Sequence, residues 1–547
     1  MIGFVTNGGY IDSNSADGLR KCLADEFSSL YFFHLRGNAR TSGEQRRKEK
    51  DNVFGQGTRT PILIAVLVKN PGAKQHGQIY FHDIGDYLSR EEKLEKISDL
   101  VSINGITAID GWTTITPDAH NDWLNQRDDS FSEFIEIGNK KDKDALGIFE
   151  NFSQGILTAR DSWIYQYSKN NLENNIHKSI DFYNLERNRI QTLLQSQTDK
   201  DIGDLINNDP RLISWSRALK NDVKKNKELK FDSASVYQAT YRPFTKSWMY
   251  FNRKLNEMVY QMSQIFPTAD AKNLVICVIG RGATKPFCGF IANTIPDFEM
   301  ISKGQCFPLY LYGEEIEENS DTDLFIQSET NTANGKYTRK DAISDAGLKH
   351  FKDAYPTETI NKEDIFYYVY GLLHSEDYRT RYADNLSKEL PRIPCVKKAE
   401  DFWAFSKAGR DLAHWHLNYE TVEPYKAKLD LKGRSVRELQ EHDYYVTKMK
   451  FIKKDQKDTV VYNNAITIEN IPLEAYDYVV NGKPALEWVM ERQGVSTHKD
   501  SGIVNDANDW AIETMNDPSY PLNLFLRVIT VSLETMKIVR NLPKLDI

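Results

Sequence analysis

Cysteine is scarce in this chain, and what there is lies far apart. The five residues Cys22, Cys277, Cys288, Cys306 and Cys395 form no CxxC pair and no His-flanked cluster. That argues against a structural zinc site and suits a reducing compartment. No apolar run approaches the length of a membrane span. Residues 1–20 lack a basic stretch ahead of an apolar core, so no secretory signal is read. The expectation is a cytoplasmic protein with no membrane contact. No GxxxxGK[ST] loop and no GxSxG elbow occurs, which excludes a P-loop motor and a serine-hydrolase elbow within this chain. Neither charge sign dominates, since the net charge is -8 over 547 residues. A basic face can still sit inside an acidic average, so local charge matters more.

The first seventy residues carry the clearest pattern. An apolar strand spans Ile2 to Thr6, and a helix follows with Leu19, Cys22, Leu23 and Phe27 at helical spacing. A second strand runs through Leu30 to Phe33, and a third from Ile62 to Val68. This alternation implies a sheet layered with helices. Such a unit normally pairs with earlier strands, so the chain reads as the downstream portion of something larger. Between the second and third strands lies a basic loop, Arg36 to Arg59. Its seven cations (Arg36, Arg40, Arg46, Arg47, Lys48, Lys50, Arg59) face three acids (Glu44, Glu49, Asp51), a local net of +4. Such a loop can reach phosphates. The bland alternative is a solvated surface loop.

Farther on, residues 81–230 read as mostly helical, with helices at Asp86–Leu100 and Leu172–Gln197 and an irregular, aromatic stretch around Trp112, Trp123, Trp163 and Tyr165 between them. Ser89 with Glu91 and Glu92 marks the first helix start. From about Asp232 short strands alternate with Gly and Pro, as at Leu274–Ile279, Phe307–Tyr312 and Thr459–Tyr462. Residues 313–340 suit an exposed polar loop. Helices return at Lys362–Ser375, Tyr378–Leu386 and Asn523–Arg540.

Several short motifs are weak. Gly280-Arg281-Gly282 follows an apolar strand but lacks the third glycine of a nucleotide loop. Glu91-Glu92-Lys93 mimics a nuclease ExK, yet it falls on a helix where that chemistry expects a strand. Asp517-Pro518-Ser519-Tyr520 is near the DPPY amine-gripping loop, but it follows no strand and reads as a turn. Arg410, His414 and His416 share a predicted helix, and packing with hydrogen bonding is the simpler reading for them.

The opening block is more specific. Strand GFVTN, helix GLRKCLADEF, strand SSLYFFHLRGN, loop, Val53-Phe54-Gly55 and strand TPILIAVLV together resemble the second half of a gamma-class adenine-N6 DNA methyltransferase domain. The resemblance narrows and lengthens through LRGNARTSGEQRRKEKDNVFGQGTRTPI, HDIGDYLSREEKL, DWLNQRD, YRPF at Tyr241–Phe244 and GQCFPLY at Gly304–Tyr310. It continues through NLSKELPRIP, FSKAGRDLAHWHLNYE, YVVNGKPALEWVMERQGV, SGIVNDANDW and VSLETM. These strings are similar to type ISP restriction-modification enzymes of bacterial defence. Those single polypeptides join a nuclease, a helicase-like ATPase, an adenine methyltransferase and a target recognition domain.

The resemblance implies an α/β partial methyltransferase sheet over residues 1–80. It further implies a mainly helical connector over 81–235 and a mixed α+β specificity domain over 236–547. It puts Phe54 where the family stacks an aromatic on the flipped target base, as an extruded adenine requires. The DNA contacts expected are Arg36, Asn38, Arg40, Arg46, Arg47, Lys48 and Arg59 from the loop. The second part adds Arg281, Lys285, Lys303, Gln305, Asn463 and Asn464 as base readers. Lys448, Lys450, Lys453 and Lys454 form a basic cluster suited to phosphates. The family's S-adenosylmethionine loop (FxGxG type) and NPPY loop have no counterpart here. The expectation is therefore no cofactor and no metal held by this chain alone, with S-adenosylmethionine in the complete enzyme. Double-stranded DNA and the N-terminal methyltransferase, ATPase and nuclease portion are the expected partners, the latter in cis or in trans. The leading reading is a DNA-recognising portion, catalytically incomplete by itself. The rivals are one subunit of a split methyltransferase and an unrelated stand-alone hydrolase, for which no complete acid–base or nucleophile site is found.

Overall fold

In the computed structural model the described residues are 1–547 without 42, 56, 143–144, 196–200, 315–335 and 454. They are of mixed α and β structure and divide into two compact units. The first joins residues 1–134 to two distant pieces, 281–287 and 379–392; the second holds the remainder.

The first unit is built on a five-stranded sheet. Its strands are β1 (Ile2–Asn7), β2 (Ser29–His34), β3 (Ile62–Val68), β4 (Gln78–Asp83) and β5 (Thr113–Ile115), in the order β1-β3-β2-β4-β5. β3 runs antiparallel to both β1 and β2, from Ile2 against Leu67 and from Ser29 against Val68. β1 and β2 therefore point the same way, joined by helix α1 (Asp17–Glu26). β4 lies parallel to β2, and β5 antiparallel to β4. The sheet thus extends well past residue 80. Leu30, Phe32, Leu63, Ala65, Leu67 and Ile79 pack on one face with Trp123; Phe33, Ile62 and Ile64 pack on the other with Ile97 and Ile106. Two-sided burial explains why β3 reads ILIAVLV with no polar alternation.

An internal ion cluster ties this unit together. The Arg20 side chain is fully buried, 2.7 Å from the Asp122 carboxylate, and donates to the carbonyls of Tyr10, Ser13 and Asn121. Lys388, from the distant 379–392 piece, reaches the other Asp122 oxygen at 2.7 Å and is as buried. A second ionic knot roots the basic loop in the sheet. Arg36 lies 2.7 Å from Asp83 and 2.6 Å from Asp86. Burial alone would raise the Asp83 pKa. Hydrogen bonds from His34, Arg36 and the Gly85 amide outweigh it and hold the carboxyl at about 2.

Two sequence expectations need correction here. The stretch Arg36–Arg59 is no plain loop, because it contains helix α2 (Gly43–Glu49). Residues 81–235 are not mainly helical either. They hold α3 (Arg90–Leu100), the short α4 (Ile103–Ala108) and the long helix Lys169–Leu194. Between these lie β5, other short strands and much irregular chain. Aromatic side chains such as Trp123, Phe131, Trp163 and Tyr165 fill that irregular part as core, without helical periodicity. The α3 start is as expected, with a capping box between Ser89 and Glu92.

The second unit contains three four-stranded sheets. One orders Ile295–Pro296, Val236–Arg242, Thr245–Tyr250 and Tyr165–Gln166; another orders Gly289–Ala292, Val275–Val278, Gln305–Pro308 and Ser153–Gln154. The third orders Lys428–Asp430, Thr467–Glu469, Gln456–Val461 and Lys450–Lys453. Helices Lys362–Leu372 and Ala399–Leu417 cross at two glycines. A Cβ on Gly409 would sit 1.9 Å from the Tyr367 carbonyl oxygen, and one on Gly371 would sit 2.1 Å from that of Phe405. His416 is buried, with Nδ1 at 2.6 Å from the Tyr370 hydroxyl and Nε2 at 2.9 Å from Thr535. Arg410 pairs with Glu363 and Asp364. Both residues pack and hydrogen-bond, as the sequence suggested. The predicted Tyr378–Leu386 helix is two pieces, Glu376–Arg381 and Ala383–Lys388. Most of the expected 313–340 loop lies outside the described residues. Tyr337–Asp341 is a strand paired with Tyr310–Glu314.

Replacing Asp122 with Ala would leave Arg20 and Lys388 buried without their carboxylate. The expected loss is about 3–5 kcal/mol of stability, read by denaturant unfolding. A loss below about 1 kcal/mol, as at a surface pair, would remove the cluster from this role. Asp83 supplies a pH signature. Its folded value of about 2 lies below the ordinary 3.8, so its contribution is full above 3.8 and fades as pH falls toward 2. Asp83→Asn should flatten the melting temperature across that window. Equal slopes in both proteins would contradict the assignment.

Candidate nucleic-acid interface

The long connection from β2 to β3 carries the most distinctive surface of the first unit. Phe54 sits on it with 61% of its area exposed, unusual for a large apolar ring. The chain beneath it is tightly held. Asn52 is buried, and its amide donates to the carbonyls of Gly37 (3.2 Å) and Thr60 (2.9 Å), clasping both arms of the connection. Its own side-chain oxygen accepts from the Phe54 amide at 3.0 Å. Gly37 has φ +91°, and a Cβ there would meet the Asn52 backbone at 2.9 Å, so glycine is required.

Helix α3 braces the same segment from below. The Lys93 side chain is fully buried and its ammonium donates to the carbonyls of Glu49 (2.9 Å) and Asp51 (2.6 Å). Burial pushes the Lys93 amine below its ordinary pKa, opposed by the nearby Glu49 and Asp51 charges. Arg90 donates to the Val53 carbonyl at 2.9 Å. Glu49 is buried and accepts from the Asn38 amide at 2.9 Å. Lys93, read in the sequence only as part of a weak ExK pattern, is thus a structural brace and no nuclease residue.

The cations of the connection fall into two groups. Arg36 is committed to Asp83 and Asp86, and Lys48 lies 3.8 Å from Asp86. Arg46 donates to the Lys50 carbonyl, and Arg47 sits 3.2 Å from Glu44 with both side chains largely exposed. Arg40, Lys50 and Arg59 are exposed. Asn38 turns the chain by accepting from the Arg40 amide at 3.0 Å. Arg281 and Lys285, far away in sequence, belong to this same unit. Their turn touches the connection where the Thr284 hydroxyl meets the Arg40 carbonyl at 3.4 Å.

The remaining sequence candidates lie in the second unit. Gly280, which precedes Arg281, is there for close backbone approach, since a Cβ would sit 2.0 Å from the Lys303 carbonyl. That explains the glycine without any phosphate cradle. Lys303 is exposed at φ +53°, and Gln305 opens the strand Gln305–Pro308. Lys450 and Lys453 are exposed on a hairpin strand. Lys454 lies outside the described residues. Asn463 has both ends of its amide occupied. Its nitrogen donates to the Asp443 and Tyr445 carbonyls, and its oxygen accepts from the Ala465 and Ile466 amides. Asn464 beside it is exposed. The bracing residues Asn52, Lys93 and Arg90 were missed by sequence reading, because nothing local marks a carbonyl that a side chain 8 to 44 residues away will need. Among the described residues no group of three or more His, Cys, Asp or Glu is placed to hold a metal, and no helix is long and apolar enough to cross a membrane.

Three solved structures are similar over the whole of this chain. A nuclease-deletion mutant of the type ISP restriction-modification enzyme LlaGI, in complex with a DNA substrate mimic, is 39% identical with a TM-score of 0.84. The ATP-dependent type ISP enzyme LlaBIII bound to DNA is 35% identical with a TM-score of 0.83. DrdV in a DNA complex is 31% identical with a TM-score of 0.79. The chain covers 39%, 33% and 50% of those proteins, so it spans half or less of their length. No curated protein matches. The family model of the type ISP C-terminal specificity domain matches residues 147–524, and on that match the chain belongs to the type ISP restriction-modification family.

Proposed function

We propose that this chain is the DNA-binding, sequence-recognising portion of an enzyme that methylates adenine N6 in DNA. In this reading the first unit is the closing part of the methyltransferase sheet, followed by a connector and the specificity domain. The observation that carries it is Phe54, an exposed ring on a connection braced by Asn52, Lys93 and Arg90. A base turned out of a duplex loses its stacking partners, and a fixed aromatic face replaces them. Holding the backbone that carries the ring before binding reduces the ordering cost at the moment of flipping. Arg40, Lys50 and Arg59 on the same connection suit phosphate contacts, which position the duplex without reading sequence. The DNA complexes of LlaGI, LlaBIII and DrdV support a DNA partner.

In this reading S-adenosylmethionine is held by residues of the complete enzyme. The glycine-rich loop and the NPPY loop are both absent from the sequence, so no methyl-transfer step is assigned to this chain. Those groups belong to the complete enzyme. A second reading, one subunit of a split methyltransferase, is favoured by β1. That strand is hydrogen-bonded to β3 on one side and forms the sheet edge on the other, with Ile2 and Val5 more than half exposed. An apolar edge of this kind seeks a partner.

The test is duplex binding by the chain across a salt series, with a randomised pool sequenced after selection. An enriched asymmetric site is expected, with log affinity falling about 0.9 per phosphate contacted for each decade of salt. No enrichment and no salt-sensitive binding would defeat the reading. On the enriched site, Phe54→Ala should cost about 1–3 kcal/mol in the extruded state while leaving duplex affinity nearly intact. A fluorescent base analogue at the target adenine reports the first quantity. Equal loss of both would remove the stacking role.

A further inference from the structure

One hairpin of the second unit, Lys450–Lys453 with Gln456–Val461, runs out beyond the sheet it belongs to. Its inner strand pairs with Thr467–Glu469 only at Val460 and Val461. Toward the other end it pairs with Lys450–Lys453, out to Lys453 opposite Gln456. From Gln456 to Thr459 the hairpin is therefore a two-stranded ribbon. Its root is braced. The Tyr476 hydroxyl donates to the Lys457 carbonyl at 2.8 Å, and the Ile471 amide donates to that of Asp458 at 3.0 Å. The Phe451 and Tyr476 rings lie 5.9 Å apart, centroid to centroid. A two-stranded hairpin is marginal in water by itself, so this bracing is what holds the ribbon extended.

The side chains beyond the brace face solvent. Lys450, Ile452, Lys453, Asp455 and Gln456 are all exposed, Ile452 with 52% of its area. Residues 448–458 carry five lysines against two aspartates, a net of +3 in a chain of net -8. Lys457 is committed to Glu487 at 2.9 Å, whereas Lys448, Lys450 and Lys453 meet no carboxylate among the described residues. Lys453 and Gln456 are direct partners across the ribbon, so their side chains leave it on one face. Two paired strands are about 4.8 Å apart, and a ribbon of that width fits a major groove about 12 Å wide. Lysines on an edge strand also keep sheets from pairing edge to edge. That role does not require a ribbon standing clear of its sheet, nor an exposed amide at its end.

We propose that this ribbon enters the major groove of duplex DNA, with Lys453 and Gln456 reading base edges and Lys450 taking a backbone phosphate. Glutamine matches adenine N6 and N7 there, and lysine matches guanine O6 and N7. Ile452 offers an apolar contact of the kind a thymine methyl meets. Asp455, the acid of the exposed end, would repel a phosphate but can accept from the cytosine amine, which favours base edges over the backbone for this end. The inference rests on the DNA-recognition reading above and names the element that does the reading. It also moves Lys453, placed by the sequence in a phosphate cluster, to a base-reading role. The bases it reads stay stacked, so the ribbon acts apart from Phe54.

The experiment repeats the pool selection with the full chain and with Gln456→Ala, Lys453→Ala and Lys450→Ala, each checked by thermal melting. All three positions are exposed, so the melting temperatures should match. Gln456→Ala and Lys453→Ala should each lower the preference at one position of the enriched site by about fivefold or more and leave the other positions as they were. The two affected positions should lie within half a helical turn, about five base pairs, because one ribbon spans no more of a single groove. Lys450→Ala should weaken binding alike for every sequence and reduce the salt slope by about 0.9. Preferences unchanged in both Gln456→Ala and Lys453→Ala, a uniform loss in both, or affected positions more than half a turn apart would each overturn the ribbon's role and leave recognition standing. Affinity unaltered in all three variants would reduce the lysines to edge protection and overturn it as well. If Gln456→Ala melts early, Lys453→Ala decides by the same criterion. If the unaltered chain enriches no site at all, the recognition reading fails first and the ribbon proposal with it.

Discussion

Everything in the first unit depends on one buried carboxylate. Asp122 is almost wholly inaccessible, yet it meets two buried cations, Arg20 on α1 and Lys388 from the 379–392 piece. Isolated charges in such a place cost many times what a single hydrogen bond returns. The three segments are therefore obliged to stay together. Arg20 also takes up three backbone carbonyls that would otherwise be stranded. The consequence is a unit assembled from chain stretches more than 250 residues apart, with the sheet fixed between them.

That fixed sheet is what gives the β2–β3 connection its character. Twenty-odd residues between two paired strands would ordinarily be free to move. Here Arg36 anchors one root to Asp83, Asn52 bridges the two arms, and Lys93 rises from α3 to hold the middle. These contacts use side chains to satisfy backbone carbonyls, and they leave the outer rim to Arg40, Lys50, Phe54 and Arg59. A rigid base beneath an exposed aromatic and basic rim is the arrangement expected where a partner is to be held in one geometry.

Much was legible before any coordinates. Ile62–Val68 reads as a strand because β-branched and apolar residues run without interruption, and two-sided burial is the reason. The α3 start was legible because a capping box is local chemistry, Ser89 and Glu92 three residues apart. The packing role of His416 and Arg410 followed from helical spacing. Other readings failed for equally physical reasons. The connector over 81–235 was expected to be mainly helical, but short strands and irregular chain take much of it, including the stretch around Trp123, Trp163 and Tyr165 that already read as irregular. Asn463 was expected to read a base because it lies in a loop flanking a strand; its amide is taken up by backbone groups of that turn.

What the sequence determined by itself is local and pattern-borne. It specified the strands and helices of the first unit, the basic connection with its phenylalanine, and the strings shared with type ISP enzymes along the whole length. Tertiary structure alone decided which of those pieces meet. It brought 281–287 and 379–392 to the first unit, put Lys93 under the Phe54 connection, and set Tyr476 under the root of the Lys450–Val461 hairpin. The reason is that burying a charge or bracing a strand is settled by contacts between residues tens to hundreds of positions apart, and no short-range pattern records them.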